Sequence, residues 1–309
     1  MTAAPELLAT CWTTAGDVGP GDADQRSPFG LEDRIRAAAG AGFTGIGILN
    51  ADLAEARTRK DGYARLRSVL DGHGITTVEV EWLDGWYLNG AARAASDRTR
   101  AELLHAAGQL GAHHVKVGAL DAAAPHWDDF VAEFAALCGE AEAHGTRIAF
   151  EPMPMDKNTG TLARARQLID EAGHPAGGLM IDIWHMARGC VSGFDEIAAL
   201  PARGDSSAYV TAVELGDADR EVVGTLTEDM WNNRRLCGAG DQDVTGFISA
   251  VRAAGYQGPW GIEVIAADFR ELPLLEQAHR SYSTTRAALE AATLAGTRSR
   301  IRAEERASS

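Results

Sequence analysis

Residues 147–185, RIAFEPMPMDKNTGTLARARQLIDEAGHPAGGLMIDIWH, contain one strand–helix–strand unit. The apolar runs at Arg147–Glu151 and Leu179–Asp182 have the length of buried strands. The segment TLARARQLIDEAG between them has apolar residues at helical spacing and ends on a glycine, as a helix C-terminus does. A strand, a helix and a second strand in this order are typical of parallel β/α folds.

The same alternation recurs along the chain and gives eight candidate strands. These strands are Leu7–Cys11, Gly45–Leu49, Thr76–Glu81, His114–Val117, Arg147–Glu151, Leu179–Asp182, Val210–Glu214 and Trp260–Val264. No G-x-G-x-x-G motif follows the first strand, which disfavours a dinucleotide-binding sheet. Eight units over this length therefore predict an α/β protein, a single-domain (β/α)₈ TIM barrel at residues 1–296, followed by a charged, frayed tail at 297–309.

Composition restricts the partners and the compartment. The chain has 309 residues, 45% of them hydrophobic, and its 29 Lys and Arg against 44 Asp and Glu give a formal net charge of −15. This charge repels nucleic acids and anionic membrane surfaces, so we expect neither as a partner. The four cysteines form no C-x-x-C pair, and the chain shows neither a signal segment nor a long apolar run. We therefore expect a soluble cytoplasmic protein with reduced thiols.

In four consecutive units the apolar run of the strand leads to an acid. These acids are Glu151, Asp182, Glu214 and Glu263. Any one of these acids is explained equally well as a charge where a strand reaches solvent, or as a helix cap. In a parallel barrel, however, the carboxyl ends of the strands share one face, where four desolvated carboxylates would repel each other unless a cation lies among them. Oxygen ligands favour Mn²⁺ or Mg²⁺, and His185 is a candidate to complete the shell.

A divalent ion inside a set of carboxylates suits the removal of a proton beside a sugar carbonyl, because the ion stabilises the enediolate that forms. A nearby carboxylate then acts as the base. Three reactions begin with this step. Return of the proton to the neighbouring carbon isomerises the sugar, return to the opposite face epimerises it, and loss of a β-substituent makes the enzyme a lyase.

The segments AFEPMP, IDIWH, RRLCGAGDQD and GIEV resemble the xylose-isomerase-like barrel superfamily of sugar isomerases, epimerases and inosose dehydratases. The resemblance covers nearly the whole chain. It implies that Glu151, Asp182 and Glu263 are metal ligands, and that Glu151 and Glu263 also move protons. His185 would contact substrate or metal, and Arg234 would bind a substrate hydroxyl or carbonyl.

One position departs from the pattern of the superfamily. The ligand on the seventh strand is commonly histidine, whereas Glu214 occupies this place here. The departure leaves the fourth ligand open between Glu214 and His185, and it favours Mn²⁺ or Mg²⁺ further.

Aromatic residues follow the first and third strands in CWTTAGDVGP and VEVEWLDGWYLNG. Trp12, Trp82, Trp86 and Tyr87 would form a wall over the barrel mouth that suits an aglycone, although a single tryptophan more often packs a helix against the barrel. The two stretches resemble the catalytic α subunits of C-glycoside deglycosidases. This resemblance implies β-elimination on 3-oxo-glycosides and a smaller β subunit as partner.

Two further polar residues are candidates for substrate binding. Lys116 ends the fourth strand, and Val115 and Val117 would point away from it because strand side chains alternate. Its ammonium would polarise a substrate oxygen. Glu81 lies nearer the carboxyl end of its strand than Glu79 does, and is therefore the better candidate of the two.

The leading hypothesis is a metal-dependent lyase that cleaves a 3-oxo-glycoside, and we expect it to be oligomeric. The alternatives are a ketose 3-epimerase or an aldose–ketose isomerase. A phosphodiesterase similar to apurinic-site endonucleases would need a His-rich trinuclear zinc cluster, which the few strand-end histidines disfavour. A non-catalytic subunit is the remaining alternative, and the acids on the fifth, sixth and eighth strands argue against it.

Overall fold

A computed structural model describes residues 5–120, 125–201 and 209–307 of the chain. Eight parallel strands close into a barrel in the order β1–β10–β7–β6–β5–β4–β3–β2. The barrel strands are β1 (Leu7–Ala9), β2 (Gly45–Leu49), β3 (Thr77–Leu83), β4 (His114–Val117), β5 (Ile148–Phe150), β6 (Gly177–Asp182), β7 (Val210–Leu215) and β10 (Trp260–Ile262). A short antiparallel pair, β8 (Asp217–Ala218) and β9 (Arg234–Arg235), follows β7. The TIM barrel prediction is confirmed, and each predicted strand corresponds to a strand of the barrel.

Helices surround the barrel. They are α1 (Leu31–Ala41), α2 (Ala54–Thr58), α3 (Gly62–Gly72), α4 (Gly90–Leu110), α5 (Trp127–Ala143), α6 (Leu162–Ala172), α7 (Ile183–His185), α8 (Asp195–Ala198), α9 (Leu226–Asn232), α10 (Val244–Ala253), α11 (Ala267–Arg270) and α12 (Leu274–Ala307). The segment that we expected to be a frayed tail continues α12 to Ala307. None of the helices in the described ranges combines the length and the hydropathy that crossing a bilayer requires.

Strand alternation separates an apolar exterior from a polar interior. Val115 and Val117 on β4 belong to the main hydrophobic core, as predicted. Lys116, between them, contacts Glu214 on β7, and β4 and β7 are not neighbours in the sheet, so this contact crosses the barrel interior. The inward-facing positions of the strands therefore carry the charged groups, and the side chains at the outward-facing positions pack against the helices.

Glycine clears space for these long polar side chains. A Cβ atom on Gly47 would lie 2.8 Å from Glu79 Oε1 and 3.0 Å from Glu81 Oε1. Below the charged groups, Ala149, Met180 and Ala212 form a small apolar cluster that is separate from the main core. Together these residues give the barrel an interior that is charged toward the mouth.

Candidate active site

The four acids predicted from the strand ends converge at the mouth of the barrel. Glu151 directly follows β5, Asp182 ends β6, Glu214 lies in β7 and Glu263 directly follows β10. All four carboxylates are buried, with at most 3% of each residue exposed. Their ligand atoms form two overlapping groups within 4.8 Å, one with Glu151, Asp182 and His185 and the other with Asp182, Glu214 and Glu263.

Lys116 lies among three buried carboxylates, those of Glu214, Glu263 and Glu81. Its Nζ atom lies 2.6 Å from Glu214 Oε1, 2.9 Å from Glu263 Oε1 and 3.0 Å from Glu81 Oε2. Burial alone would lower the pKa of Lys116, but Glu214, Glu263 and Glu81 raise it well above its usual value. Lys116 is therefore a fixed cation inside the acidic site.

Arg234 supplies the second buried cation. Its guanidinium donates to Asp182 Oδ2 at 2.5 Å and lies 3.1 Å from Glu263 Oε2. Although burial opposes it, the Arg234 guanidinium holds the pKa of Asp182 below its usual value. Trp184 N donates to Asp182 Oδ1 at 2.6 Å, so both oxygens of this carboxylate are held. In this structure the Arg234 guanidinium binds two carboxylates of the protein. Its predicted contact with a substrate stays a prediction.

His185 faces the same group of acids from the short helix that follows β6. Its Nε2 atom lies 3.4 Å from Glu151 Oε1 and 3.7 Å from Asp182 Oδ2. Burial lowers the pKa of His185 to about 3, so the imidazole is neutral near pH 7. A neutral imidazole is the form that binds a metal.

Negative charge exceeds positive charge in this site. Burial, together with Glu263 and Asp182, raises the pKa of Glu151 to about 8. Burial and Glu263 also raise the pKa of Glu214 well above its usual value. These two carboxyl groups thus favour their neutral forms in the absence of a further cation.

A divalent cation fits this set of donors. Three buried atoms of the described site, Glu151 Oε1, Glu214 Oε2 and His185 Nδ1, have no hydrogen-bond partner. Orphaned carboxylate oxygens in an oxygen-rich site with one imidazole match the preferences of Mn²⁺ and Mg²⁺. Glu151, Asp182 and Glu263 would hold the ion, and either Glu214 or His185 would add the fourth ligand.

A cavity of about 140 Å³ opens above these groups. It is lined by eight of the predicted site residues, namely Trp12, Glu81, Trp82, Lys116, Glu151, His185, Arg234 and Glu263. Asp182 and Glu214 are fully buried and do not line this cavity, although their carboxylates belong to the same ligand groups. The structure therefore brings the predicted residues together, while the role of each one stays a prediction.

Two of the four predicted aromatic wall residues line the cavity, and two do not. Trp12 and Trp82 line it, and Gly118 leaves the space that the Trp82 ring occupies. The prediction for Trp86 and Tyr87 was wrong, since both are buried in the main core. Trp86 Nε1 donates to the Gly118 carbonyl at 2.8 Å, so hydrogen bonding and packing fix it below the mouth.

Other residues of the site escaped the sequence analysis. Trp231 on α9 and the side chains of Met153 and Met230 complete the apolar wall of the cavity. Asp217 accepts N–H groups from Gly238 at 2.9 Å, Gly240 at 3.1 Å and Gln242 at 3.0 Å, which ties the glycine-rich loop after Arg234 to the end of β7. Local sequence patterns do not pair these groups, because 21 to 25 residues separate Asp217 from its donors.

Residues 35–289 match the model of the xylose isomerase-like TIM barrel family. The chain belongs to this family. It is 28% identical to a 3-dehydroshikimate dehydratase of Pseudomonas aeruginosa over 255 residues, and 28% identical to one of Pseudomonas putida over 152 residues. These matches cover 79% and 46% of this chain, but only 37% and 21% of the two relatives.

Solved structures share the fold of this xylose isomerase-like barrel. An IolI protein with a bound zinc atom has a TM-score of 0.73 at 16% identity, covering 92% of this chain and 98% of that one. An L-ribulose 3-epimerase has a TM-score of 0.69 at 17% identity, covering 96% and 97%. At these identities the likeness shows the fold alone. The resemblance to C-glycoside deglycosidases stays a prediction.

Metal binding to this xylose isomerase-like barrel should stabilise the folded state. At 100 times its Kd, Mn²⁺ is expected to add about 2.7 kcal/mol to the free energy of unfolding, because only the folded chain assembles the ligands. Asp182 belongs to both ligand groups, so Asp182→Asn should lose most of the rise in Tm. Asp129→Asn, on the exposed face of α5, is the control and should keep it. An unchanged wild-type Tm with Mn²⁺, Mg²⁺ and Zn²⁺ would contradict the metal site.

Proposed function

We propose that this chain is a divalent-metal-dependent lyase that removes a proton beside the ketone of an oxidised sugar and expels the β-substituent, so that it cleaves a 3-oxo-glycoside. The observation that carries the proposal is the convergence of buried carboxylates, Glu151 and Glu263 among them, on one cavity that fits a divalent ion. The dehydratase names of the relatives support elimination, because a dehydratase expels water as its β-substituent.

Proton transfer is the task of Glu151 and Glu263. One carboxylate takes the proton from the carbon beside the ketone. The electron pair of this C–H bond, first stabilised by the ketone, becomes the C=C bond to the β carbon, and the leaving group departs with the electron pair of the bond that breaks. The other carboxyl group returns a proton to the leaving group. Glu151 suits proton transfer near neutral pH, because its pKa is raised to about 8. When bound, the metal polarises the adjacent substrate oxygens.

The charge of the cavity favours a neutral substrate over an acid such as 3-dehydroshikimate. Two cations line the described cavity, Lys116 and Arg234. Both already bind carboxylates, Lys116 to three and Arg234 to two. A substrate carboxylate would meet paired cations among excess negative charge, which disfavours its binding. The apolar wall suits a flat, uncharged leaving group instead.

Product analysis tests the proposal. Mn²⁺-loaded protein is incubated in parallel with a neutral 3-oxo-glycoside that carries an aromatic aglycone, with a ketohexose, and with 3-dehydroshikimate. We expect aglycone release that stops with a chelator, and slower turnover of 3-dehydroshikimate. Epimerised or isomerised ketose without aglycone release would instead support the alternative reactions of the same first step. If 3-dehydroshikimate is turned over faster than the 3-oxo-glycoside, the proposed preference for a neutral substrate is wrong.

The proposal also includes a smaller β subunit as partner, which the resemblance to deglycosidases implies, an oligomeric assembly and a cytoplasmic location.

A phosphodiesterase is disfavoured, because the candidate metal groups of the described residues contain one histidine, His185. Three zinc ions per chain would reverse this preference. Failure to bind any divalent ion would support a non-catalytic subunit.

Trp82 should select the leaving group. Trp82→Ala is expected to raise KM for an aromatic aglycone about tenfold, because it removes an apolar and stacking surface from the cavity wall. KM for the corresponding methyl glycoside should change less than twofold. Trp127→Ala is the control. Trp127, the first residue of α5, stacks on Phe130 and does not line the described cavity. Equal effects of Trp82→Ala on both substrates would refute its role in selection.

A further inference from the structure

A line of buried polar groups runs inside the barrel beneath the cavity. His114 Nε2 lies 2.5 Å from Glu79 Oε2, and Glu81 Oε2 lies 3.0 Å from Lys116 Nζ. Each of these four residues is at most 2% exposed. Glu79 does not line the described cavity above Lys116, so any influence on the reaction must pass through its neighbours.

Glu79 and Glu81 share the inner face of β3 and lie side by side. A Cβ atom on Gly47 would lie 2.8 Å from Glu79 Oε1 and 3.0 Å from Glu81 Oε1. Both oxygens therefore border the same space, which glycine leaves open. The two side chains interact with each other, and no N–H or O–H donor of the described residues reaches Glu79 Oε1, so two carboxyl groups buried together at this point require a proton between them. Burial and Glu81 raise the pKa of Glu79, whereas Lys116 and Glu79 hold the pKa of Glu81 below its usual value against the effect of burial. Glu79 is therefore the protonated partner.

The neighbours of the pair agree with this assignment. Burial and the Lys116 charge lower the pKa of His114 to about 3, so His114 is neutral and its ring pairs with a neutral acid. Glu81 accepts the Cys11 backbone N–H on Oε1 at 3.2 Å and Lys116 on Oε2. Glu81 is thus fixed from two sides, by Cys11 and by Lys116, and a Glu79 hydroxyl would fix it from a third.

We propose that Glu79 is a positioning residue: held by His114, it donates a hydrogen bond to Glu81, and Glu81 in turn fixes the Lys116 ammonium beneath Glu214 and Glu263. The proposal rests on the proposed function, because it concerns how the cation of that site is placed. Lys116 contacts Glu263, one of the two groups that transfer protons in the proposed function, and Glu79 acts on Lys116 through one intermediate side chain, Glu81.

Two substitutions separate positioning from the other roles. Glu79→Gln keeps a donor toward Glu81 and an acceptor toward His114, so kcat should stay within about threefold of wild type. Glu79→Met keeps the volume but removes both hydrogen bonds, and kcat should fall about 10- to 100-fold with little change in KM, because a misplacement of about 1 Å at a reacting group costs about 10²-fold. Rescue by glutamine is the result that a purely structural role does not give.

The outcomes that overturn the proposal are distinct. If Glu79→Gln is as impaired as Glu79→Met, Glu79 must pass a proton rather than position Glu81. If Glu79→Met has wild-type kcat, the contact has no role in placing Lys116. Should Glu79→Met not fold, His114→Leu removes the same support from the other side, and its kcat should fall by a similar factor.

A readout independent of activity keeps this proposal separate from the proposed function. In crystal structures of the variants, the Lys116 Nζ–Glu81 Oε2 distance of 3.0 Å should be retained in Glu79→Gln and lengthened in Glu79→Met. If the wild type acts on none of the substrates, the proposed function fails, while this distance still decides the positioning role. An unchanged distance in Glu79→Met overturns it.

Discussion

Glu263→Gln is expected to lower kcat by about 10²- to 10⁴-fold while the barrel stays folded. The substitution keeps the volume of the side chain but removes its charge and its ability to accept a proton. Both carboxylate oxygens face cations, with Lys116 Nζ 2.9 Å from Oε1 and Arg234 Nη2 3.1 Å from Oε2. The amide group of glutamine would direct N–H donors at one of these cations. The site therefore loses one of its two proton-transfer groups and also part of its order.

Glu151→Gln should cause a comparable loss for a different reason. Glu151 Oε1 has no hydrogen-bond partner among the described residues, so it is open to substrate or metal rather than held by a cation. Steady-state kinetics, circular dichroism and Tm measure both variants, with Glu290→Gln on the exposed side of α12 as the matched control. Near-normal turnover by either variant would show that its residue does not transfer the proton.

The fold was predictable from the sequence because its signals are local. Each barrel strand is a short apolar run, and the helical segments between them have their own periodicity and glycine ends. α3 has a weaker signal, because it begins on a glycine and follows the short helix α2, although Tyr63, Leu66 and Leu70 on its buried face have helical spacing. The end of α12 was misjudged because charge density alone suggested a tail, whereas its residues also have high helix propensity.

The acids of the site were predictable, but their pairing was not. A strand end is visible in the sequence, and the closed barrel brings all strand ends together. Lys116, however, pairs with Glu214 and Glu263, which are 98 and 147 residues away along the chain. Only the barrel geometry shows which groups meet across its interior, so the sequence did not reveal that Lys116 is also a buried counterion. Its contact with substrate stays a prediction.

The same limit applies to the aromatic residues. Trp82 lies near the end of β3 and Trp86 lies four positions later in the loop that follows, and composition does not tell them apart. Trp82 reaches the cavity over Gly118, whereas Trp86 packs against Phe130 with ring centroids 4.7 Å apart and donates to a buried carbonyl. The directions of these two side chains depend on the backbone path at the end of β3 and in the loop after it, which is set by tertiary contacts.

Lys116→Met should be the most destabilising substitution of the site. It removes the cation from Glu81, Glu214 and Glu263, which are all buried, and unpaired buried charges cost about 3–5 kcal/mol when a partner is lost. Urea unfolding of the metal-free variant measures this loss. Lys60→Met, at an exposed position, is the control and should change the free energy of unfolding by less than about 0.5 kcal/mol.

The response of this variant to metal also tests the charge balance of the site. Wild-type protein has five buried carboxylates, Glu81, Glu151, Asp182, Glu214 and Glu263, around two buried cations. A divalent ion restores positive charge among them, so Mn²⁺ should stabilise Lys116→Met more than it stabilises the wild type. Activity should remain low, because the ion cannot replace a donor held between Glu214 and Glu263. Equal stabilisation of both proteins would mean that Lys116 and the metal do not share these carboxylates, and that the ion binds elsewhere.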